Sequence, residues 1–125
     1  MPSTVNRGPR QIWYAFIWSL KGLRAGWQLE ASFRLEVLLL VIMFPLGLWL
    51  GNGPIEKALL AGSLLPVPSA ELLNSGLEAL VDKLWTGHDA TAGRIKDMGS
   101  AAVFLLMMNV LVIWIVILGA RAGAW

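Results

Sequence analysis

Residues 98–120 carry no charged side chain, and Ser100 and Asn109 are the only polar ones among them. As a helix this run is about 34 Å long, enough to cross a hydrocarbon core of about 30 Å. That single stretch limits the solvents in which the chain can fold. In water it would need cover on every side, and a chain of 125 residues has little other mass to supply it. Composition points the same way: 57% of residues are hydrophobic, 14% are charged, and the mean hydropathy is +0.66. In lipid the constraint moves to the backbone, whose polar groups must be bonded internally, and helices achieve this one segment at a time. No series of alternating ten-residue strands suggests a barrel. An all-α membrane protein forming one domain over residues 1–125 is expected.

Two further spans can be drawn. The apolar run 37–50 is 14 residues long, too short to cross alone, so its helix is expected to start earlier and occupy 31–50. Arg34 and Glu36 then lie at the membrane boundary. Gly51-Asn52-Gly53-Pro54 follows, a turn signal that sends the next helix back antiparallel. The second span, 55–82, carries Pro66 and Pro68 in its middle, where a kink or local unwinding is expected. The third span is placed at 97–120.

Ahead of the spans, over residues 9–28, Ile12, Trp13, Phe16, Ile17, Leu20, Leu23 and Trp27 recur at three- and four-residue steps between polar positions. This pattern predicts an amphipathic helix, lying on the membrane surface or as a lid on the bundle; its aromatic residues favour the headgroup level. The basic N-terminus lacks a small-residue cleavage motif, so no removable signal peptide is expected. Arg7, Arg10, Lys21, Arg24, Arg34, Lys83, Arg94 and Lys96 flank one side of the spans, against Lys57 and Arg121 on the other. The positive-inside rule then puts the N-terminus and the 82–97 loop in the cytoplasm. With no cysteine and one histidine, disulfides, thiolate metal sites and histidine metal clusters are excluded.

The second span also carries ionisable side chains, which at membrane depth mark function by default. At about 100° per residue, Glu71, Asn74, Ser75, Glu78 and Asp82 share one arc of the helix, and the rest of it is Leu, Ala, Val and Gly. Two carboxylates on one face repel unless a proton, a cation or a metal stands between them. Polar groups that merely bond neighbouring helices would explain Asn74 and Ser75 equally well. Lys96 and Ser100, at i and i+4, enter the third span at the same depth, close to Lys21, Arg24 and Glu30. Carboxylates for Mg²⁺, cations for phosphate and an acid-base residue are what phosphoryl transfer requires, although snorkelling charges at a boundary look similar. There is no G-x-x-x-x-G-K-[ST], G-x-G-x-x-G, H-R-D or D-F-G motif. A nucleotide would have to be held by charges on helices.

Four stretches carry a resemblance: Lys21-Gly22-Leu23-Arg24-Ala25, then residues 30–36 (EASFRLE), 71–82 (ELLNSGLEALVD) and 93–103 (GRIKDMGSAAV). With their spacing, from about residue 18 onward the chain resembles the bacterial integral-membrane diacylglycerol kinases. The resemblance implies a homotrimer of three-span subunits in the inner membrane, each preceded by a surface helix, with composite active sites between protomers. It implies Mg²⁺- and ATP-dependent phosphorylation of diacylglycerol by direct in-line transfer, without a phosphoenzyme. Glu71 resembles the family's general base, and Glu30 and Glu78 its Mg²⁺ ligands. Gln11, Trp18, Glu30, Glu78, Gly87, His88, Asp89, Lys96 and Asp97 would contact ATP, with Lys96 on its phosphates. Arg24, Ser32, Phe33, Arg34, Leu35, Glu36, Glu71 and Ser100 would line the lipid's path, and Asn74 and Asp82 would shape the site.

The chain also departs from the family. Pro66-Val67-Pro68-Ser69-Ala70 stands where an unbroken aliphatic stretch is usual. Gln11 occupies the register of a nucleotide-contacting arginine, with Arg10 adjacent, and Trp18 that of an aromatic position often tyrosine. Gly87-His88-Asp89 matches a nucleotide-contacting loop in position and not in identity. The nearest rival implied by the same resemblance is an undecaprenol kinase; outside enzymes, a proton-relay channel or an assembly factor would also explain intramembrane carboxylates.

Overall fold

A computed structural model describes residues 8–125. Arg7, one of the flanking charges, and most of the basic N-terminus lie outside the described residues. Five helices follow in order: α1, Pro9–Leu29; α2, Ala31–Leu50; α3, Gly53–Gly62; α4, Pro66–Leu84; and α5, Ala90–Arg121. No strand occurs among the described residues. Two helices, α2 and α5, are long and apolar enough to cross a membrane.

The turn between α2 and α3 forms where the glycines predict it. Gly53 takes φ +80°, a conformation that suits a residue without Cβ, and Pro54 enters the first turn of α3, where its missing N–H is harmless. A Cβ at Gly51 would meet the backbone of Lys57, and the Asn52 amide donates to Glu56 Oε1 at 3.4 Å. With the chain reversed so tightly, α3 returns along α2. Gly47 sits at their contact, where a Cβ would lie 3.1 Å from Ala61 N and 3.2 Å from Leu60 Cβ. Leu60 and Ala61 are almost fully enclosed there.

The region drawn as one span over 55–82 is two helices. Pro66 occupies the start of α4 and Pro68 follows within its first turn, positions that lack an intrahelical donor in any case. Their cost falls on the helix before them. The Leu64 amide turns to Ala61 O at 3.2 Å, so Leu60 O loses its ordinary i+4 donor. Two other groups serve that carbonyl: the Ser63 hydroxyl donates to it at 3.2 Å, and the Trp114 indole of α5 at 3.1 Å. A helix break in an apolar solvent persists when side chains re-satisfy the freed carbonyls in this way.

The most extensive contact is between α4 and α5, with α2 against both α3 and α4. Val67, Val81, Ala92 and Val103 form the thin core between these helices. The chain exposes 9171 Å², whereas a compact soluble chain of its mass would expose about 6600 Å². The excess is apolar: Trp49, Ile55, Leu73 and Met98 are each more than 70% exposed. Of α1, only Gly26 is buried, and Ile12, Trp13, Phe16, Leu20 and Leu23 remain uncovered. Within the single chain α1 is therefore no lid; it touches α2 and α4 at its C-terminal end.

Two outcomes test this packing. Gly47→Leu should destabilise the protein by about 1–3 kcal/mol through overpacking against α3, whereas Gly62→Ala, where a Cβ meets nothing within 4 Å, should change stability little; SDS titration of the purified protein compares them. Trp114→Phe should cost about 1 kcal/mol by removing one donor from Leu60 O, and adding Ser63→Ala should cost more than the sum of the two changes.

Candidate functional site: a carboxylate-lined cleft

The site is built where α1 gives way to α2. Glu30 is the single non-helical residue between them, extended at φ −119° and ψ 108°, and it closes α1 and opens α2 at once. Its side chain lines a cleft of about 510 Å³ together with Ser32, Leu35, Glu36 and Leu39 of α2. From α4 come Glu71, Asn74 and Glu78, the i, i+3, i+7 positions of the polar arc, and from α5 come Ser100, Val103, Phe104 and Met107. Three separate stretches of chain thus line one cleft, and two of them supply its four carboxylates.

Burial divides these groups. Glu36, Glu71 and Asn74 are buried, whereas Glu30 and Glu78 are part-exposed at the open end. Asn74 Nδ2 donates to Glu78 Oε1 at 3.4 Å, and the Asn74 Oδ1 atom lies against Gly99, where any Cβ would collide with it. Glu36 Oε2 has no hydrogen-bond donor among the described residues, and the Glu36 and Glu71 carboxyls face one another. A pair so placed is stable with a proton or a cation between its members.

Other candidate residues lie outside the cleft. Asp82, one turn beyond Glu78, forms an ion pair with Lys96 across the α4–α5 contact. Asp97 is exposed on the same turn of α5. In the 85–89 loop Gly87 and His88 are exposed, and the Asp89 side chain caps α5 by accepting from the Ala92 amide at 2.9 Å. On α1, Gln11 and Arg24 are exposed and Trp18 is half-buried, stacked near Tyr14 at 6.1 Å between ring centroids. Phe33 is buried against Gly26, and Arg34 is engaged by carbonyls of α1.

Reading the sequence alone missed Leu39, Val103, Phe104 and Met107. A signal for them was present: Val103, Phe104 and Met107 stand three, four and seven residues after Ser100, and Leu39 three after Glu36, on the same helical faces. Beyond Glu36, Leu39 and Met107 the cleft continues into an apolar cavity of about 330 Å³, lined also by Met43, Leu64, Val67, Pro68 and Leu111. The break before Pro66 borders this cavity.

Mg²⁺, which the resemblance implies, can be tested against these donors. Among the described residues no three His, Asp or Glu side chains are grouped closely enough to hold an ion by themselves. Glu30 and Glu78 on one cleft fit the other common arrangement, in which one or two carboxylates share Mg²⁺ with substrate phosphates.

Comparison with known proteins gives a consistent result. The family profile for prokaryotic diacylglycerol kinase matches residues 17–118. A diacylglycerol kinase of Escherichia coli (strain K12) is 38% identical over 106 residues, covering 85% of this chain and 87% of the relative. One from Haemophilus influenzae is 42% identical over 97 residues, covering 78% and 82%, and one from Pseudomonas aeruginosa is 38% identical over 117, covering 94% and 95%. With a family match over most of its length and relatives at this identity, the chain belongs to the prokaryotic diacylglycerol kinases, a family of lipid kinases.

Proposed function

We propose that this protein transfers the γ-phosphoryl group of ATP to the free hydroxyl of diacylglycerol, giving phosphatidic acid and ADP, at the cytoplasmic boundary of the bacterial inner membrane. The observation that carries the reading is the cleft itself. Glu30, Glu71, Asn74, Glu78 and Ser100 meet at its polar end, and its far end opens into an apolar cavity. An acceptor with a hydroxyl at one end and acyl chains at the other suits such a gradient. The relatives named diacylglycerol kinase support the same choice of acceptor.

In this reading the Glu71 carboxylate takes the proton of the diacylglycerol hydroxyl as its oxygen attacks the γ-phosphorus in line, and the bond to the bridging oxygen breaks to release ADP. Glu30 and Glu78 would hold Mg²⁺, which when bound offsets the negative charge of the phosphates. Asn74, already bonded to Glu78, keeps that carboxylate turned into the cleft. Lys96 would exchange Asp82 for a phosphate, leaving Asp82 to shape the approach. Gln11, Trp18, Gly87, His88, Asp89 and Asp97 would meet the nucleotide, those of α1 by reaching a neighbouring protomer's cleft in a homotrimer. Arg24, Ser32, Phe33, Leu35, Glu36 and Ser100 would border the lipid's path.

The topology that accompanies this function counts α2, then α3 with α4 as one broken span, then α5, with the N-terminus and the 82–97 loop cytoplasmic. The distribution of Lys and Arg supports it, eight on that side against two on the other. Apolar surface left open on every helix supports both lipid contact and association with further copies.

Glu71→Gln should lower turnover by about 10²–10⁴-fold, the range for losing a general base, with the oligomer unchanged by cross-linking; full turnover in that variant would remove Glu71 from this role. Offered diacylglycerol and undecaprenol in parallel with radiolabelled ATP, the purified protein should phosphorylate diacylglycerol faster by about tenfold or more. A preference for undecaprenol would reassign the acceptor.

A further inference from the structure

Arg34 lines neither the cleft nor its apolar continuation, and its guanidinium is bonded to α1 instead. Helix α1 ends at Leu29 with no basic residue in its last turn, and the carbonyls of Trp27 and Gln28 belong to the final set that a helix leaves without partners. Helix α2 starts two residues later with no side-chain cap of its own. One turn into α2, Arg34 Nη1 reaches back and donates to Trp27 O at 2.8 Å and to Gln28 O at 3.4 Å. The negative end of one helix is thereby met by a cation from the next.

Between these two points stands Glu30. Its amide donates to Gly26 O at 2.9 Å, and its carbonyl accepts from the Arg34 amide at 3.1 Å. The corner is seated on α4 through Gly26, where a Cβ would press on Leu72 and on Phe33. Glu30 is therefore held by the end of α1, by the start of α2 and, through the guanidinium, by the angle between them. We infer that Arg34 is a positioning residue that clamps the α1–α2 corner, so that Glu30 faces Glu71 and Glu78 across the cleft, and that it is not a contact for the lipid. The importance of Glu30 rests on the lipid-kinase reading; the clamp is a property of the corner alone.

The test uses the full chain, whose lack of cysteine allows clean labelling. Spin labels introduced at Leu20→Cys and Val41→Cys, both exposed positions, report the angle between α1 and α2 when labelled protein is diluted into unlabelled. Arg34→Ala should broaden the distance distribution, and Arg34→Lys, which keeps the charge and most of the reach, should largely restore it. In steady-state assays Arg34→Ala should raise the KM for ATP by about ten- to a hundred-fold, the usual effect of losing a group that orients a ligand-bearing side chain, while the KM for diacylglycerol stays within about twofold. Arg34→Gln makes the same comparison should the alanine variant not fold. An unchanged distance distribution, or a rise confined to the KM for diacylglycerol, overturns the inference. Because the distance measurement needs no turnover, its outcome stays readable even if Glu71→Gln disproves the proposed chemistry.

Discussion

A helix leaves its terminal amides and carbonyls without partners, and in this protein particular side chains meet them where helices stop. At the Pro66 break Leu60 O is served by Ser63 and Trp114. At the α1–α2 corner Trp27 O and Gln28 O are served by Arg34. At the start of α5 the Ala92 amide is served by Asp89. The first two of these ends lie next to the cleft or its apolar continuation, so the side chains there both close the backbone and help set the walls of the site.

The prolines illustrate how a departure from the family pattern can be absorbed. Inside a continuous helix, Pro66 and Pro68 would remove two hydrogen bonds and bend the chain under Glu71. Placed in the first turn of α4 they remove nothing from that helix, and Glu71 stands beyond them on a regular face with Asn74 and Glu78. The disturbance is passed backwards to residues 60–65, where Leu64 helps to border the apolar cavity. Such a break exchanges helix regularity for room beside the carboxylates.

Much of the site could be read along the chain because helical spacing determines which side chains share a face. The polar arc from Glu71 to Asp82 follows from spacing alone, and so does the pairing of Ser100 with Lys96 on one side of α5. What spacing cannot report is which faces of different helices meet. Asp82 turns out to face Lys96 while Glu78, one turn earlier, faces the cleft. Arg34, seven residues from Trp27, bonds a carbonyl across a corner whose angle no local pattern encodes. Leu39 and Met107 belong to the cleft wall because α2 and α5 both pack on α4 and flank it, and their apolar character reads equally well as lipid contact.

From its residues alone this chain is committed to helices in an apolar solvent, because the run 98–120 cannot otherwise be covered and because glycine and proline leave few choices at residues 51–54 and 66–68. The order of its carboxylates along each helix was equally settled, since the period of the α-helix is the same in every context. Only the tertiary structure decided that Glu30, Glu36, Glu71 and Glu78 share one cleft, that Trp114 completes a carbonyl 54 residues away, and that the Arg34 side chain bonds the end of α1. Those outcomes depend on close approaches at Gly26, Gly47 and Gly99, where the absence of a side chain sets how near two helices come, and that distance is a property of the pair.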